Sequence, residues 1–172
     1  MITTDQQSQL RTALDAAFRE FKEALLSIDK NRINEVPFEG SWTPAQVADH
    51  ILLATDGLPD GNTSAADRPA DAMLPAIRPW WEDLSQKFQA PEPLLPDNRE
   101  RSRDELISEL DRVHQKDLHI LDEQDLTEIC LDFALPTIGY LTRFEWLWFI
   151  EMHLNRHSHQ LKKIQETFAT HG

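Results

Sequence analysis

Apolar side chains recur at steps of four and three through residues 5–30, at Leu10, Leu14, Phe18, Phe21, Leu25 and Ile28. Such steps line up one face of an α-helix and do not fit the alternation of a strand. The same period returns in three later segments, each opened by a local start signal. Thr43 is placed to cap a second helix, Pro44 fits its first position and Gln46 completes a capping box. Val47, His50 or Ile51, and Ala54 then face inward until Gly57 and Pro59 end the pattern. Ser102 and Glu105 open a third helix with the stripe Leu106, Leu110, Val113 and Leu121. Thr142 and Glu145 open a fourth, which runs toward Phe168 with Trp146, Phe149, Ile150, His153, His157, Leu161, Ile164 and Phe168 inward.

The intervening chain reads as connection. Residues 56–79 are rich in Pro, Gly, Asp and Ala and form a long crossing loop, a length often tied to function. The stretch PWWEDLSQKF is expected to be a short helix starting at Pro79, and residues 90–98 and 125–139 are read as loops. Four long amphipathic helices in one chain imply an all-α four-helix bundle, taken as a single domain over 1–172. The long connection after the second helix permits a crossover, so simple up-down-up-down order is not forced. The presence of only 5 glycines agrees with helix over sheet.

Charge narrows the partners. With 30 acidic against 17 basic residues the formal charge is −13, which repels phosphate backbones and anionic membranes, so neither nucleic acid nor membrane is expected as a partner. Cys130 is the only cysteine, so no intrachain disulfide forms and a reducing compartment is the natural reading. The N-terminal residues lack a signal-peptide pattern and no run reaches the length of a membrane span, which gives a cytoplasmic expectation.

The chemistry-bearing feature is the stretch FIEMHLNRHSHQLKKIQ at 149–165. Residues four apart on a helix lie about 40° apart around the axis, so His153 and His157 direct two imidazole nitrogens at one point. The pair alone is weak, since one exposed and one internally bonded histidine give the same spacing. Its placement on the apolar stripe is more telling, because a histidine there is unfavourable unless its nitrogens have partners. His50 lies on the inward face of another helix and adds a third imidazole. Two helical nitrogens and one from a neighbouring helix form the open, catalytic kind of metal site. His159 is about 200° from His157 and faces elsewhere. His114, His119, His159 and His171 are read as solvated.

The segment SWTPAQVADHI resembles the tryptophan-containing entry to the second helix of the DinB/YfiT-like superfamily, with its histidine midway along. LPTIGYLTRFEWLWFIEMHLNRHSHQLKKI resembles that family's last helix, in which Pro and Gly precede a Thr-capped helix carrying His-x-x-x-His and then Gln-Leu. The resemblance implies His50, His153 and His157 as metal ligands and a bundle of up-down-down-up order. It also implies a metal-dependent hydrolase or a thiol-dependent transferase.

Such a site holds a divalent ion, foremost Zn or Ni with Fe and Mn as alternatives, and activates water or a thiol. The first expectation is hydrolysis of a small molecule. Thiol-dependent S-transfer on the same ligands is the second, and a bundle that only binds a ligand or dimerises is the third. No catalytic general base stands out. Glu145 reads as a cap, Glu151 as solvated and Asp49 as a surface residue. Gln160 fits either a partner that orients a ligand or an interhelical hydrogen bond. Arg156 fits a salt bridge, and Trp80 and Trp81 fit either core packing or a wall over the metal. The aromatic-rich helices suggest a homodimer.

Overall fold

A computed structural model describes residues 1–170, so the expectation for His171 lies outside the described residues. The elements in chain order are α1 (Thr4–Leu26), α2 (Pro44–Thr55), β1 (Thr63–Ser64), α3 (Leu74–Trp81), α4 (Arg103–Glu123), β2 (Ile129–Cys130) and α5 (Arg143–Thr170). Short 3-10 turns stand at Lys30–Arg32 and Glu92–Leu94.

Helix starts follow side-chain chemistry. Thr43 Oγ1 accepts from Gln46 N while Gln46 Oε1 accepts from Thr43 N, and Ser102 with Glu105 does the same. Thr142 and Glu145 form the third expected box. At the other end of α2, Gly57 takes φ 100, a left-handed conformation open to glycine, and a Cβ there would stand 2.9 Å from Lys116 Nζ.

Ion pairs and hydrogen bonds between the long helices fix their directions. Gln7 Nε2 donates to Leu121 O at 2.7 Å and Lys22 pairs with Asp111 at 2.5 Å, so α1 and α4 are antiparallel. Asp49 pairs with Arg101, just before α4, and Asp56 with Arg112 at 2.9 Å, so α2 runs parallel to α4. At the far end of α1, Arg32 donates to Phe168 O at 3.1 Å, so α1 and α5 are parallel. The order is therefore up, down, down, up, and the 56–102 connection supplies the crossover between the two parallel down helices.

Leu10, Leu14, Phe18, Phe21 and Leu25 of α1 are all 0 % exposed and meet Leu106, Leu110 and Val113 of α4 in the main core. A second cluster of Ile77, Cys130, Leu135, Leu141, Trp146, Phe149 and Met152 fills the α3 side of α5.

Three local expectations are corrected. The first helix stops at Leu26, and Ile28 is buried from the turn beyond it. The short helix lies upstream of its expected place. Leu74 and Ile77 are its buried anchors, Pro75 sits in its first turn and Pro79 lies inside it. Asp83 then accepts from Ser85 N and Gln86 Nε2, a turn that replaces the helix expected there. The loops at 56–79 and 125–139 each give two residues to an antiparallel ribbon, Thr63 opposite Cys130. Among the described residues no helix is long and apolar enough to cross a membrane.

Candidate metal centre

His50 sits midway along α2, and His153 and His157 lie one turn apart on α5, with which α2 packs antiparallel. One nitrogen of each lies within 4.8 Å of the others. His50 Nε2 and His153 Nε2 are 3.1 Å apart, and the ring centroids are separated by 4.8 to 5.1 Å. His50 and His153 are buried, and His157 is partly exposed at the edge of the cluster.

Two of the rings are held from behind. His50 Nδ1 lies 2.8 Å from Leu94 O, and a carbonyl only accepts, so Nδ1 carries the proton and Nε2 offers a lone pair to the cluster. His157 Nδ1 donates to Gln160 Oε1 at 2.7 Å, which leaves its Nε2 unprotonated in the neutral ring. Of the two roles considered for Gln160, orientation of a cluster histidine is the one observed.

Burial sets the charge state. It lowers the pKa of His50 against the opposing hydrogen bond to Leu94. It lowers His153 well below the ordinary value, with His157, His50 and Arg156 adding to the effect. His157 is brought down to about 4 by burial and the neighbouring His50, against the bond to Gln160. All three rings are thus neutral near pH 7, the form that ligates metals.

Aromatic rings enclose the cluster. Trp42, just before α2, lies 5.1 Å from His50, and Trp81, which closes α3, lies 5.4 Å from His153. Trp81 therefore takes the wall position considered for the tryptophan pair, whereas Trp80 packs on Trp81 and Phe88 and is 37 % exposed. The sequence marks Trp42 only as the tryptophan of the α2 entry, and its place one residue before the cap is the signal that sets it beside His50.

Several other residues depart from expectation. Among the described residues Arg156 makes no salt bridge; it donates to the carbonyls of Trp81, Asp83 and Gln86 and stacks over Phe88 at 4.7 Å. Asp49 is buried and paired with Arg101, so it is not a surface residue. His114 is half-buried, bonded to Asp15 at 2.8 Å and stacked on Phe18 at 4.5 Å, which corrects its solvated assignment. Glu151 is half-buried, accepts from Asn155 at 2.6 Å and has its pKa raised by burial, but it stays outside the cluster. His119 is exposed, and His159 also lies outside the cluster. Cys130 is buried with its thiol pushed up to about 12, mainly by burial.

Comparison with solved structures places this fold among known bundles. A crystal structure assigned to the DinB family from Exiguobacterium sibiricum is similar at a TM-score of 0.57 and 19 % identity, over 98 % of this chain and 95 % of that one. YfiT from Bacillus subtilis, described as a probable metal-dependent hydrolase with an unusual four-helix bundle topology, is similar at a TM-score of 0.58 and 16 % identity, over 98 % of this chain and 91 % of that one. At these identities the likeness establishes the fold. No curated protein matches. The family model of the DinB superfamily matches residues 13–161, a span holding all three clustered histidines, and the chain belongs to that superfamily.

Proposed function

We propose that this protein is a metal-dependent hydrolase of a small molecule, with His50, His153 and His157 as the metal ligands. The observation that carries the reading is the convergence of three neutral imidazoles from two helices, two of them oriented from behind by Leu94 O and Gln160 Oε1. The donor set fits the group. Nitrogens held about 2.0–2.1 Å from one ion are about 2.8–3.4 Å apart at octahedral or tetrahedral angles, and the 3.1 Å between His50 and His153 falls in that range. A divalent ion on three neutral nitrogens supplies hydroxide near neutral pH.

The chain's own contribution is positional. Leu94 O and Gln160 fix the tautomers, and Trp42 and Trp81 limit the water that reaches the buried rings. Zn and Ni head the candidate ions, with Fe and Mn next, because imidazole suits them all. The description of YfiT as a hydrolase supports hydrolysis as the first reaction to test.

Protein purified without a histidine tag and analysed by mass spectrometry should contain close to one divalent ion per chain, and His153→Ala should lose it. A content far below one, unchanged by the substitution, sinks the reading. Turnover of a generic electrophile only when a low-molecular-weight thiol is added would reassign the reaction to thiol transfer.

A further inference from the structure

The geometry points to Trp81 as the substrate-contacting residue of this site, its indole Nε1–H donating to an oxygen of the bound molecule; this assignment rests on the reading of the histidine cluster as the reaction centre. The Trp81 ring meets His153 at 5.4 Å and 87°, with Phe88 stacked on it at 4.5 Å and Phe149 tilted against it at 4.7 Å. Its Nε1 is buried and has no acceptor among the described residues. A buried donor left unpaired is unfavourable and uncommon, and a bound acceptor relieves it. The other orphaned atoms belong to Arg103, Asp117 and Trp146; Trp81 alone among these side chains has its ring against a cluster histidine.

Two neighbouring features define what the acceptor belongs to. Trp81 borders a cleft of about 210 Å³ shared with Glu82, Leu84, Met152, Asn155 and Arg156, a mixed lining in which Leu84 and Met152 give contact for an apolar body. The Arg156 guanidinium lies 5.8 Å from the Trp81 ring and donates to backbone carbonyls; the Asp83 carboxylate acts on it at longer range, without a salt bridge among the described residues. With Asp83 acting on Arg156 and Glu82 in the same cleft, the unused N–H favours a neutral acceptor oxygen that gains negative charge during reaction. The substrate class is therefore a small molecule with an apolar body and a carbonyl oxygen. Segment 82–90 lies over Trp81 through Phe88 and the carbonyls held by Arg156, so an entering molecule shifts it to reach the buried N–H.

The test uses zinc-loaded protein with 15N-labelled indoles and benzohydroxamate, an apolar ring carrying a carbonyl and a chelating oxygen pair. The Trp81 resonance is identified by its disappearance in Trp81→Phe, which keeps an aromatic ring and removes the N–H. At saturation that resonance should move downfield, and Kd for benzohydroxamate should rise about five- to tenfold in Trp81→Phe with zinc affinity unchanged. An unmoved resonance and equal Kd in the two proteins overturn the assignment, as does zinc-loaded protein that fails to bind benzohydroxamate. Wild-type protein that fails to bind zinc overturns the assignment together with the metal reading, and the zinc titration distinguishes the two failures.

Discussion

His50 Nε2 and His153 Nε2 stand 3.1 Å apart although 103 residues separate them in the chain. The contact exists because α2 and α5 cross antiparallel with their histidine faces together, so an ion held there ties two helices in the folded state alone. Zn or Ni at 100 times its Kd should add about 2.7 kcal/mol of stability. For a domain of this size that raises Tm by about 5–10 °C. Thermal denaturation with added metal and with a chelator measures the difference, and His153→Ala should abolish it. A wild-type Tm indifferent to metal contradicts the arrangement.

Gln160 acts on the site through His157, whose Nδ1 it holds at 2.7 Å. Gln160→Ala removes the acceptor and frees the ring to rotate, so metal affinity should fall about 10- to 100-fold. Metal-free stability should change only by about 0.5–1.5 kcal/mol, the net worth of one hydrogen bond. Gln160→Glu keeps an acceptor oxygen and should restore most of the affinity. Equal affinities in wild type and Gln160→Ala, read by isothermal titration, would remove this role.

Glu145 has a larger structural part than its cap position suggests. It is 0 % exposed, takes two hydrogen bonds from Arg68 at 2.7 and 2.8 Å, and accepts from Met73 N and Thr142 N. Glu145→Ala opens the capping box of α5 and releases the 68–73 segment, leaving Arg68 without its charge partner. The loss should be about 3–5 kcal/mol in urea denaturation. Arg68→Ala should recover less than the full effect, because Met73 N and Thr142 N still need Glu145. A change below about 1 kcal/mol for Glu145→Ala would mean that the network contributes nothing beyond an ordinary cap.

The contrast between local and distant partners explains what the sequence could tell. The boxes at Thr43, Ser102 and Thr142 were legible because donor and acceptor are three residues apart. The histidines were legible because their helix faces follow from periodicity, and His50 stands on the apolar side of its own helix. Arg68, 77 residues from Glu145, was not legible, because nothing local marks it as the partner. Asp49 failed for the same reason: α2 is buried on several faces, and only the distant Arg101 makes a carboxylate tolerable there. The place of α3 is not legible because Pro79 imitates a start signal, whereas burial of Leu74 and Ile77 decides where the helix forms.

Asp117 tests how this core tolerates a carboxylate without any partner. It lies on the inward stripe of α4, is 0 % exposed, and neither oxygen has a hydrogen-bond partner among the described residues. Burial pushes its pKa up to about 8; the Lys116 charge opposes this and Asp56 adds to it. The unfolded chain releases this proton near the ordinary value of 3.8, so between that pH and about 8 the folded state holds a proton that the unfolded state has lost. The stability contributed by the neutral acid is fully present below the unfolded pKa and is lost as pH rises through the folded one. The slope is about 1.4 kcal/mol per pH unit across the window. Other groups titrate in the same range, His114 among them, so the informative quantity is the difference between two proteins. Asp117→Leu, which is apolar and of similar shape, should stabilise the bundle by more at pH 8.0 than at pH 5.5, with the gap read from urea midpoints at each pH. If wild type and variant differ by the same amount at both, Asp117 does not titrate in the window and its burial must be relieved by a partner such as water.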